Sequence, residues 1–377
     1  MNEAAIQNVL DEAVASGAVA GMTVAVTNAE HTTLQASAGV SALGGTQAVG
    51  PDTVFWIASM TKPITSVAAM QLVEQGRLAL DAPIEDVLPE LKNPQIVEGG
   101  KFRPAKQKIT LRHLLTHTAG FSYFFASTEY AALIASTPNP PAPGTKAALM
   151  APLLFEPGER WEYGISTDWV GLAVEAVSGE RLDAYFNNHI LAPLGMNDTS
   201  FLPDAAQQTR LAALHHRQKD GTLTMKPPAP LVLPEVLSGG GGLYSTLNDY
   251  LKFMRIWLNG GAGILSPETV AEMTRNQIGS LRAGYIPSAN PALFLGADVN
   301  PGMESKWGLG FLIYPQDGRF GRHAGSFGWA GMANTYFWID PKAGLGAVMM
   351  TQILPSGDLQ ALKTLVGFER AVYAAAR

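Results

Sequence analysis

The chain has 377 residues, of which 47% are apolar and 15% charged, a composition that excludes a disordered chain and a small disulfide-stapled module. Its formal net charge of −6 argues against nucleic-acid binding, because neutralising phosphates requires a basic face. The absence of cysteine excludes disulfides, thiolate nucleophiles and cysteine-ligated zinc. No segment has the pattern of a signal peptide or a membrane span, so a cytoplasmic protein without membrane contact is expected.

The N-terminal part predicts one amphipathic helix, a hairpin and a second, buried helix. Apolar residues between Ile6 and Val14 recur at helical spacing, and Gly17 ends the pattern. Two runs of β-forming residues follow, at 22–27 and 32–38. At 59–75 apolar positions surround most of a helix, which indicates that the core encloses it.

The remainder of the chain predicts a helical region followed by a return to strands. Helical patterns alternate with proline-rich loops at 79–238, and a run of four glycines at 239–242 indicates either chain flexibility or close approach of the backbone beside the cleft. Short antiparallel strands and a final helix are then predicted at 308–314, 319–323, 334–339, 345–351 and 358–373.

These patterns predict an α/β (α+β) fold with two domains. Residues 1–78 and 239–377 are expected to form one antiparallel sheet flanked by helices, because strands occur at both ends of the chain. Residues 79–238 are expected to form an inserted, mostly helical domain. The functional site is expected in the cleft between the two.

Ser59 and Lys62 form a Ser-x-x-Lys motif at the predicted start of the buried helix. Three residues along a helix bring the lysine back beside the serine. The helix N-terminus favours a developing anion at the serine, and burial favours the neutral amine of the lysine. A serine hydroxyl needs such a base to act as a nucleophile. The alternative is a surface N-cap serine beside a solvated lysine.

This motif, together with Leu78-Ala79-Leu80-Asp81-Ala82-Pro83 and Leu114-Leu115-Thr116-His117-Thr118-Ala119-Gly120, resembles the serine β-lactamase and penicillin-binding-protein superfamily. The family VIII carboxylesterases are the branch that it resembles most. Trp161-Glu162-Tyr163-Gly164 matches their Trp-x-Tyr stretch, which implies that Ser59 is the nucleophile and that Lys62 and Tyr163 carry its proton. The β-lactamases usually have asparagine where Ile165 stands, and this departure disfavours amide substrates.

A third motif lies on a late predicted strand. Trp329-Ala330-Gly331 matches the Trp-Gly-Gly form of the esterases, where the β-lactamases have Lys-Thr-Gly. By resemblance, the backbone N–H groups of Ser59 and Met332 would form an oxyanion hole. His323-Ala324-Gly325 is a competing match, which would make Ser326 the second donor.

Three further patterns have structural alternatives. The aromatic residues at 121–130, Phe125 among them, form either plain core or the lining of an apolar pocket. His113 and His117 have the spacing of a zinc pair but lack the glutamate of a zincin, so no metal is predicted. Ser166 misses the pattern of a nucleophile elbow and is predicted to be an N-cap serine.

The resemblance implies a serine carboxylesterase that hydrolyses small or short-chain esters through an acyl-enzyme, with a small-molecule ester as its partner and no cofactor. The alternatives on the same fold are a β-lactamase, a D-amino-acid peptidase or transpeptidase, and an acyltransferase. From another class, a non-catalytic ligand-binding module is the alternative. The sequence leaves the natural ester and the oligomeric state open.

Overall fold

One antiparallel sheet, to which both ends of the chain contribute, forms the centre of the molecule. The computed structural model describes residues 2–227 and 230–374. Its strands are β1 Gly21–Thr27, β2 Thr32–Gly39, β3 Phe55–Trp56, β4 Gln95–Glu98, β5 Lys101–Pro104, β6 His215–Arg217, β7 Leu223–Met225, β8 Tyr244–Ser245, β9 Tyr285–Ile286, β10 Ala297–Asp298, β11 Lys306–Trp307, β12 Leu312–Ile313, β13 Phe327–Gly331, β14 Thr335–Asp340, β15 Leu345–Met350 and β16 Ile353–Leu354.

The main sheet has seven strands in the order β11-β12-β13-β14-β15-β1-β2. The N-terminal strand β1 pairs antiparallel with both β2 and β15, with Thr23 opposite Met350. The first hairpin and the C-terminal meander therefore meet inside one sheet, as the sequence predicts. The predicted class, an antiparallel sheet flanked by helices, is confirmed.

The helices follow the predicted order. They are α1 Glu3–Ala15, α2 Lys62–Glu74, α3 Leu111–Leu115, α4 Thr128–Ser136, α5 Lys146–Leu149, α6 Ser166–Ser178, α7 Leu182–Phe186, α8 Ala192–Leu194, α9 Ala205–Gln208, α10 Leu247–Leu258, α11 Pro267–Thr274 and α12 Leu359–Ala374. Short 3₁₀ turns occur at Ala58–Thr61, Ile84–Asp86 and Pro89–Leu91, and a π-helical turn occurs at Asn187–Leu191. No helix in the described ranges is long and apolar enough to span a bilayer.

Two hydrophobic layers hold the sheet. On one face α1 and α12 pack against it, and Ile6, Leu10 and Phe368 are buried beside Trp338. The other face forms a larger core with α2 and α10, in which every residue of α2 from Lys62 to Leu72 is buried. The enclosed second helix is therefore confirmed. Its polar lysine end must find partners inside the protein, because an unpaired buried polar group is costly.

Two of the predicted strands differ in the structure. Residues 319–323, predicted as a strand, lie in the loop between β12 and β13. Gly321 has φ 128° there, and a local backbone hydrogen bond closes the loop: Gly318 N–H donates to Arg322 O at 2.7 Å. The predicted strand at 308–314 is shorter in the structure, because only β12 lies inside this range. A turn at Gly310, whose φ is 103°, separates β12 from β11, which ends at Trp307.

Between α2 and β8 the described chain forms α3 to α9, two short antiparallel hairpins and proline-rich loops. Strand β6 of this region also pairs in parallel with β16 near the C-terminus. Residues 215–217 are therefore tied to the C-terminal part of the chain, although they lie inside the range predicted for the helical domain. The two-domain division remains a prediction.

Asn334 ties the β13–β14 turn to the segment that leads into α12. It is fully buried with φ 58°, a left-handed conformation that costs most residues stability. Its amide donates to Ile353 O at 2.8 Å and Pro355 O at 2.9 Å. Its Oδ1 accepts from Tyr336 OH and from the backbone N–H groups of Gly357 and Asp358. One side chain therefore satisfies five polar contacts in the core.

Asn334→Ala should lower the free energy of unfolding by about 2–4 kcal/mol, because buried polar groups lose their partners and alanine is strained at positive φ. Asn334→Gly, which accepts that backbone, should be less destabilising by about 1 kcal/mol. Urea denaturation measures both. A loss under about 0.5 kcal/mol in the alanine variant would contradict this role.

Candidate active site

Ser59 lies on a strained turn at the entrance to α2. Strand β3 pairs with β8, and the chain then enters the 3₁₀ turn Ala58–Thr61. Ala58 has φ 44°, and Ile57 N–H, which donates to Leu243 O at 3.0 Å, anchors the backbone before it. A non-glycine residue at positive φ costs about 1–3 kcal/mol and persists only where its surroundings enforce it. The turn leaves Ser59 partly exposed, whereas both of its neighbours are buried.

Lys62 is fully buried directly beneath Ser59. Its Nζ lies 3.1 Å from Ser59 Oγ, 3.1 Å from Tyr123 OH and 2.7 Å from Gly240 O. An amine nitrogen can take part in three hydrogen bonds, and these three contacts account for all of them. The described ion pairs include none with Lys62, and its three hydrogen-bond partners are uncharged groups.

The glycine run brings a backbone carbonyl onto the lysine. A Cβ on Gly240 would lie 3.0 Å from both Tyr123 OH and Asp168 Oδ2, and a Cβ on Gly239 would lie 2.8 Å from Thr167 O. Gly240 N–H donates to Asp168 Oδ1 at 2.9 Å, and Ser238 Oγ donates to the same oxygen at 2.7 Å. The close approach predicted for 239–242 is therefore the contact that fixes Gly240 O on Lys62.

Tyr123 and Asp168 belong to the site, although no specific role for them followed from the sequence. Burial raises the pKa of the Tyr123 hydroxyl well above its ordinary value, and nearby Asp168 adds to the effect. Burial also raises the pKa of the Asp168 carboxyl, against the hydrogen bond from Ser238 and the charge of Lys62. The tyrosine is therefore a neutral hydroxyl in contact with the amine.

Tyr163 lies across Lys62 from the glycine run. Lys62 Nζ is 4.6 Å from the centre of the Tyr163 ring. Among the described residues the Tyr163 hydroxyl has one hydrogen-bond partner, Trp329, whose indole Nε1 donates to it at 3.0 Å. Trp329 therefore contacts the third member of the predicted catalytic set.

A wall of aromatic rings supports Tyr163. His117 is buried against the rings of Trp161, Tyr163 and Trp307, with its centre 4.9 Å from that of Tyr163. Burial lowers the pKa of His117 well below its usual value, and the charge of Lys62 adds to this. The imidazole is therefore neutral and packs as an aromatic ring. Helix α3 ends at Leu115, and His113 caps that helix, so the two histidines do not form a metal pair.

Strand β13 presents the third motif next to Ser59. Gly331 packs against the turn before the serine, where a Cβ would lie 2.4 Å from Ile57 O. Met332 follows it, and within the described residues its backbone N–H donates to no acceptor. The competing candidate lies elsewhere, because Ser326 N–H donates to His323 O at 3.1 Å and His323 binds Asp340. Neither Ser326 nor His323 lines the cavity that contains Ser59.

A cavity of about 700 Å³ opens above Ser59. The site residues predicted from the sequence that line it are Ser59, Phe125, Tyr163, Trp329, Gly331 and Met332. Ile165 is not among them and precedes α6. Ser166 is the first helical residue there, so the predicted N-cap role is wrong: Ile165 occupies the cap position. The described residues contain no cluster of potential metal ligands.

The sequence and the structure are similar to known proteins over nearly the whole chain. A family model described as Beta-lactamase matches residues 6–370. Monacolin J acid methylbutanoyltransferase of Aspergillus terreus is 32% identical over 86% of this chain and 82% of its own length. Lovastatin esterase of Penicillium rubens is 31% identical over 93% of each chain. The unliganded structure of simvastatin synthase (LovD) from Aspergillus terreus is 28% identical, with a TM-score of 0.87 over 99% of this chain and 98% of that one.

Asp168→Ala should slow covalent labelling of Ser59 by a serine-reactive phosphonate about 10–100-fold, because Gly240 O would no longer be held on Lys62. Asp168→Asn retains an oxygen that accepts both bonds and should stay within about threefold of the wild-type rate. Intact-protein mass spectrometry measures the rates.

Ser59→Ala, which removes the nucleophile, is the control and should give no adduct. Equal rates for the alanine variant and the wild type would contradict the positioning role of Asp168. An equal loss in the alanine and asparagine variants would assign the effect to the carboxylate charge instead.

Proposed function

Because the chain belongs to the beta-lactamase family, we propose that it is a serine carboxylesterase that forms an acyl-enzyme on Ser59. Esterases and acyltransferases among its relatives support a hydrolase or acyl-transfer enzyme. The observation that supports an acyl-enzyme on Ser59 most directly is the contact of Ser59 Oγ with the buried Lys62 Nζ at 3.1 Å. This contact lies on the floor of an open cavity.

In the proposed acylation step, neutral Lys62 accepts the proton of Ser59 while Oγ attacks the ester carbonyl carbon. Gly240 O and Tyr123 OH keep Nζ aimed at the serine. The backbone N–H groups of Ser59 and Met332 are the donors that we assign to the developing oxyanion. Such a donor is typically worth about 2.7–4 kcal/mol in the transition state.

The alcohol must then leave with a proton. Tyr163 is the proposed donor, and the proton that Lys62 took from Ser59 replaces the one that the tyrosine gives up. The indole N–H of Trp329 stabilises the phenol oxygen as negative charge develops there. Water then attacks the acyl-enzyme, passes its proton back through the same groups and releases the carboxylic acid. The ester bond that Ser59 Oγ forms with the acyl group during acylation is thus broken by water during deacylation. The proposed mechanism uses no metal and no organic cofactor.

Trp329 also supports esters over β-lactams. A lysine at this position would offer a cation to the carboxylate of a lactam, whereas the indole offers one N–H, which Tyr163 already accepts. Two arginines line the cavity in the described structure. Arg322 is paired with Glu369 at 2.7 Å, and Arg319 is exposed to solvent and donates to Pro301 O at 2.8 Å. Ile165 supplies no polar group, which disfavours amide recognition further.

Acyl transfer to an alcohol is the second candidate. It is favoured by the 32% identity to a protein named as a methylbutanoyltransferase and by a cavity large enough for an alcohol acceptor. The two reactions share the acyl-enzyme and differ in whether water or an alcohol attacks it. Product analysis in the presence of an added alcohol distinguishes them.

Tyr163→Phe should lower kcat for a short-chain aryl ester about 10²–10⁴-fold, the usual contribution of a general acid or base. Lys62→Arg should inactivate as well, because a guanidinium stays protonated and cannot accept the serine proton. Steady-state kinetics measure both. A loss confined to KM would reassign Tyr163 to substrate binding, and near-wild-type activity of Lys62→Arg would exclude a base role for the lysine.

The wild type should prefer a short-chain aryl ester to a chromogenic cephalosporin in kcat/KM. Trp329→Lys should shift this ratio toward the cephalosporin by roughly 10–150-fold, the worth of a hydrogen bond to a charged group. Trp329→Phe is the matched control, since it also removes the bond to Tyr163 but adds no cation. A wild-type preference for the cephalosporin would replace the esterase proposal with a β-lactamase.

A further inference from the structure

The cavity above Ser59 is larger than a small ester requires. Its volume of about 700 Å³ falls in the range of about 300–1,000 Å³ that holds drug-sized ligands. Strand β12 pairs only with Phe327 and Gly328, so in the described structure no strand flanks the rest of β13 on that side. The cavity continues past this open edge, from Trp329 and Ala330 to Tyr336 and the helix α12.

One face of α12 is turned toward this space. Leu362, Leu365 and Val366 line the cavity and are only partly buried. On the same helix Ala361 and Phe368 are completely buried in the core. Residues three and four apart share a helix face, so the lining residues form an apolar stripe. A ligand that covers this stripe removes its apolar surface from water, and this burial favours binding.

The inner end of the space is polar but carries no net charge. Arg322 and Glu369 line it and form an ion pair at 2.7 Å, with exposed side-chain fractions of 11% and 7%. The Arg322 guanidinium lies 4.4 Å from the ring centre of Trp338 and 5.2 Å from that of Tyr314. Because the two charges neutralise each other, this end favours an uncharged group over an ion.

A segment that we call the strap, residues 285–301, covers the cavity from outside. Its two ends pair as β9 and β10. On one side Ala289 N–H donates to Phe125 O at 2.7 Å, and on the other Leu295 N–H donates to Ser356 O at 3.0 Å. The strap thus adds Phe294 and Leu295 to a mainly apolar lining.

We propose that the space bounded by the strap, Tyr336 and the α12 stripe, which we call the α12 lobe, binds the alcohol part of the ester. The alcohol is then a bulky, uncharged and mainly apolar group. This rests on the proposed esterase function. The leaving oxygen must lie near its proton donor Tyr163, whose hydroxyl is 3.0 Å from Trp329 Nε1. Trp329 and the α12 stripe line the same cavity, so the lobe is assigned to the alcohol and a short acyl group remains beside Ser59.

Matched primary esters test the assignment. The acetate of 2-(2-naphthyl)ethanol should exceed ethyl acetate in kcat/KM by about 10–100-fold, the worth of burying one bulky apolar group. Ethyl 3-(2-naphthyl)propanoate, which carries the same ring on the acyl side, should show no such gain. The acid released is followed in a pH-stat.

Leu362→Trp, which fills the α12 lobe, should lower the ratio of kcat/KM for the bulky over the small acetate by about tenfold or more. Lys363→Trp is the matched control: it adds the same side chain to an exposed position of the same helix outside the lining. It should leave the ratio within about twofold of the wild type. Thermal unfolding verifies that both variants are folded.

The outcomes separate this inference from the proposed function. If the wild type hydrolyses no ester faster than Ser59→Ala does, the esterase proposal fails. If ethyl acetate is hydrolysed but the bulky alcohol gives no gain, or Leu362→Trp leaves the ratio unchanged, the α12 lobe is not the alcohol site. A gain for the bulky acyl ester that Leu362→Trp abolishes would assign the lobe to the acyl group and overturn the present assignment.

Discussion

The burial of the Lys62 amine is the constraint on which the rest of the site depends. A buried amine must have polar partners, because its desolvation is otherwise too costly. Here the partners are two hydroxyls and one carbonyl, and no carboxylate contacts Nζ in the described structure. A carboxylate in contact would hold the amine in its charged form. All three hydrogen-bond partners of Nζ are therefore uncharged groups, and the proposed role assigns to this amine the proton of Ser59.

This requirement explains why glycines and an acid occur together beneath the cleft. Gly240 O reaches Lys62 only because no Cβ stands between the loop, Tyr123 and Asp168. Asp168 accepts a hydrogen bond from Gly240 N–H and thereby orients the whole glycine residue. The carbonyl oxygen of that glycine is the group that contacts Lys62. The acid thus positions the lysine without touching it.

On the other side of Lys62, rigid aromatic packing replaces polar contacts. Tyr163 lies between the lysine and Trp329, and neutral His117 packs against its ring. Rings placed this way have little rotamer freedom, so the phenol oxygen is held in one position, as the proposed proton transfer requires. The same tryptophan lines the cavity that contains the α12 lobe. Trp329 therefore contributes both to the proposed proton transfer, through Tyr163, and to the cavity in which the alcohol is proposed to bind.

Local patterns in the sequence were sufficient for most of the elements and for part of the site. Helix α1, the first hairpin and the enclosed α2 follow from periodicities that repeat over a few residues, and the Ser-x-x-Lys spacing places Lys62 beside Ser59 within one turn. The incorrect strand at 319–323 has the same origin. A short apolar run predicts a strand, but the left-handed Gly321 and its loop bonds are decided by the packing around them.

Tertiary structure alone decided which groups surround the reactive pair. Tyr123 is 61 positions from Lys62 and Gly240 is 178 positions away, while Trp329 and Tyr163 are 166 apart. No periodicity links residues at such separations, and the aromatic run that contains Tyr123 has the composition of ordinary core. The α12 lobe is likewise a property of the assembled fold, since strap, strand edge and C-terminal helix must meet before the space exists. The sequence determined the contact of Ser59 with Lys62 because one helical turn creates it, whereas the other partners of the lysine and the cavity required folding of the whole chain.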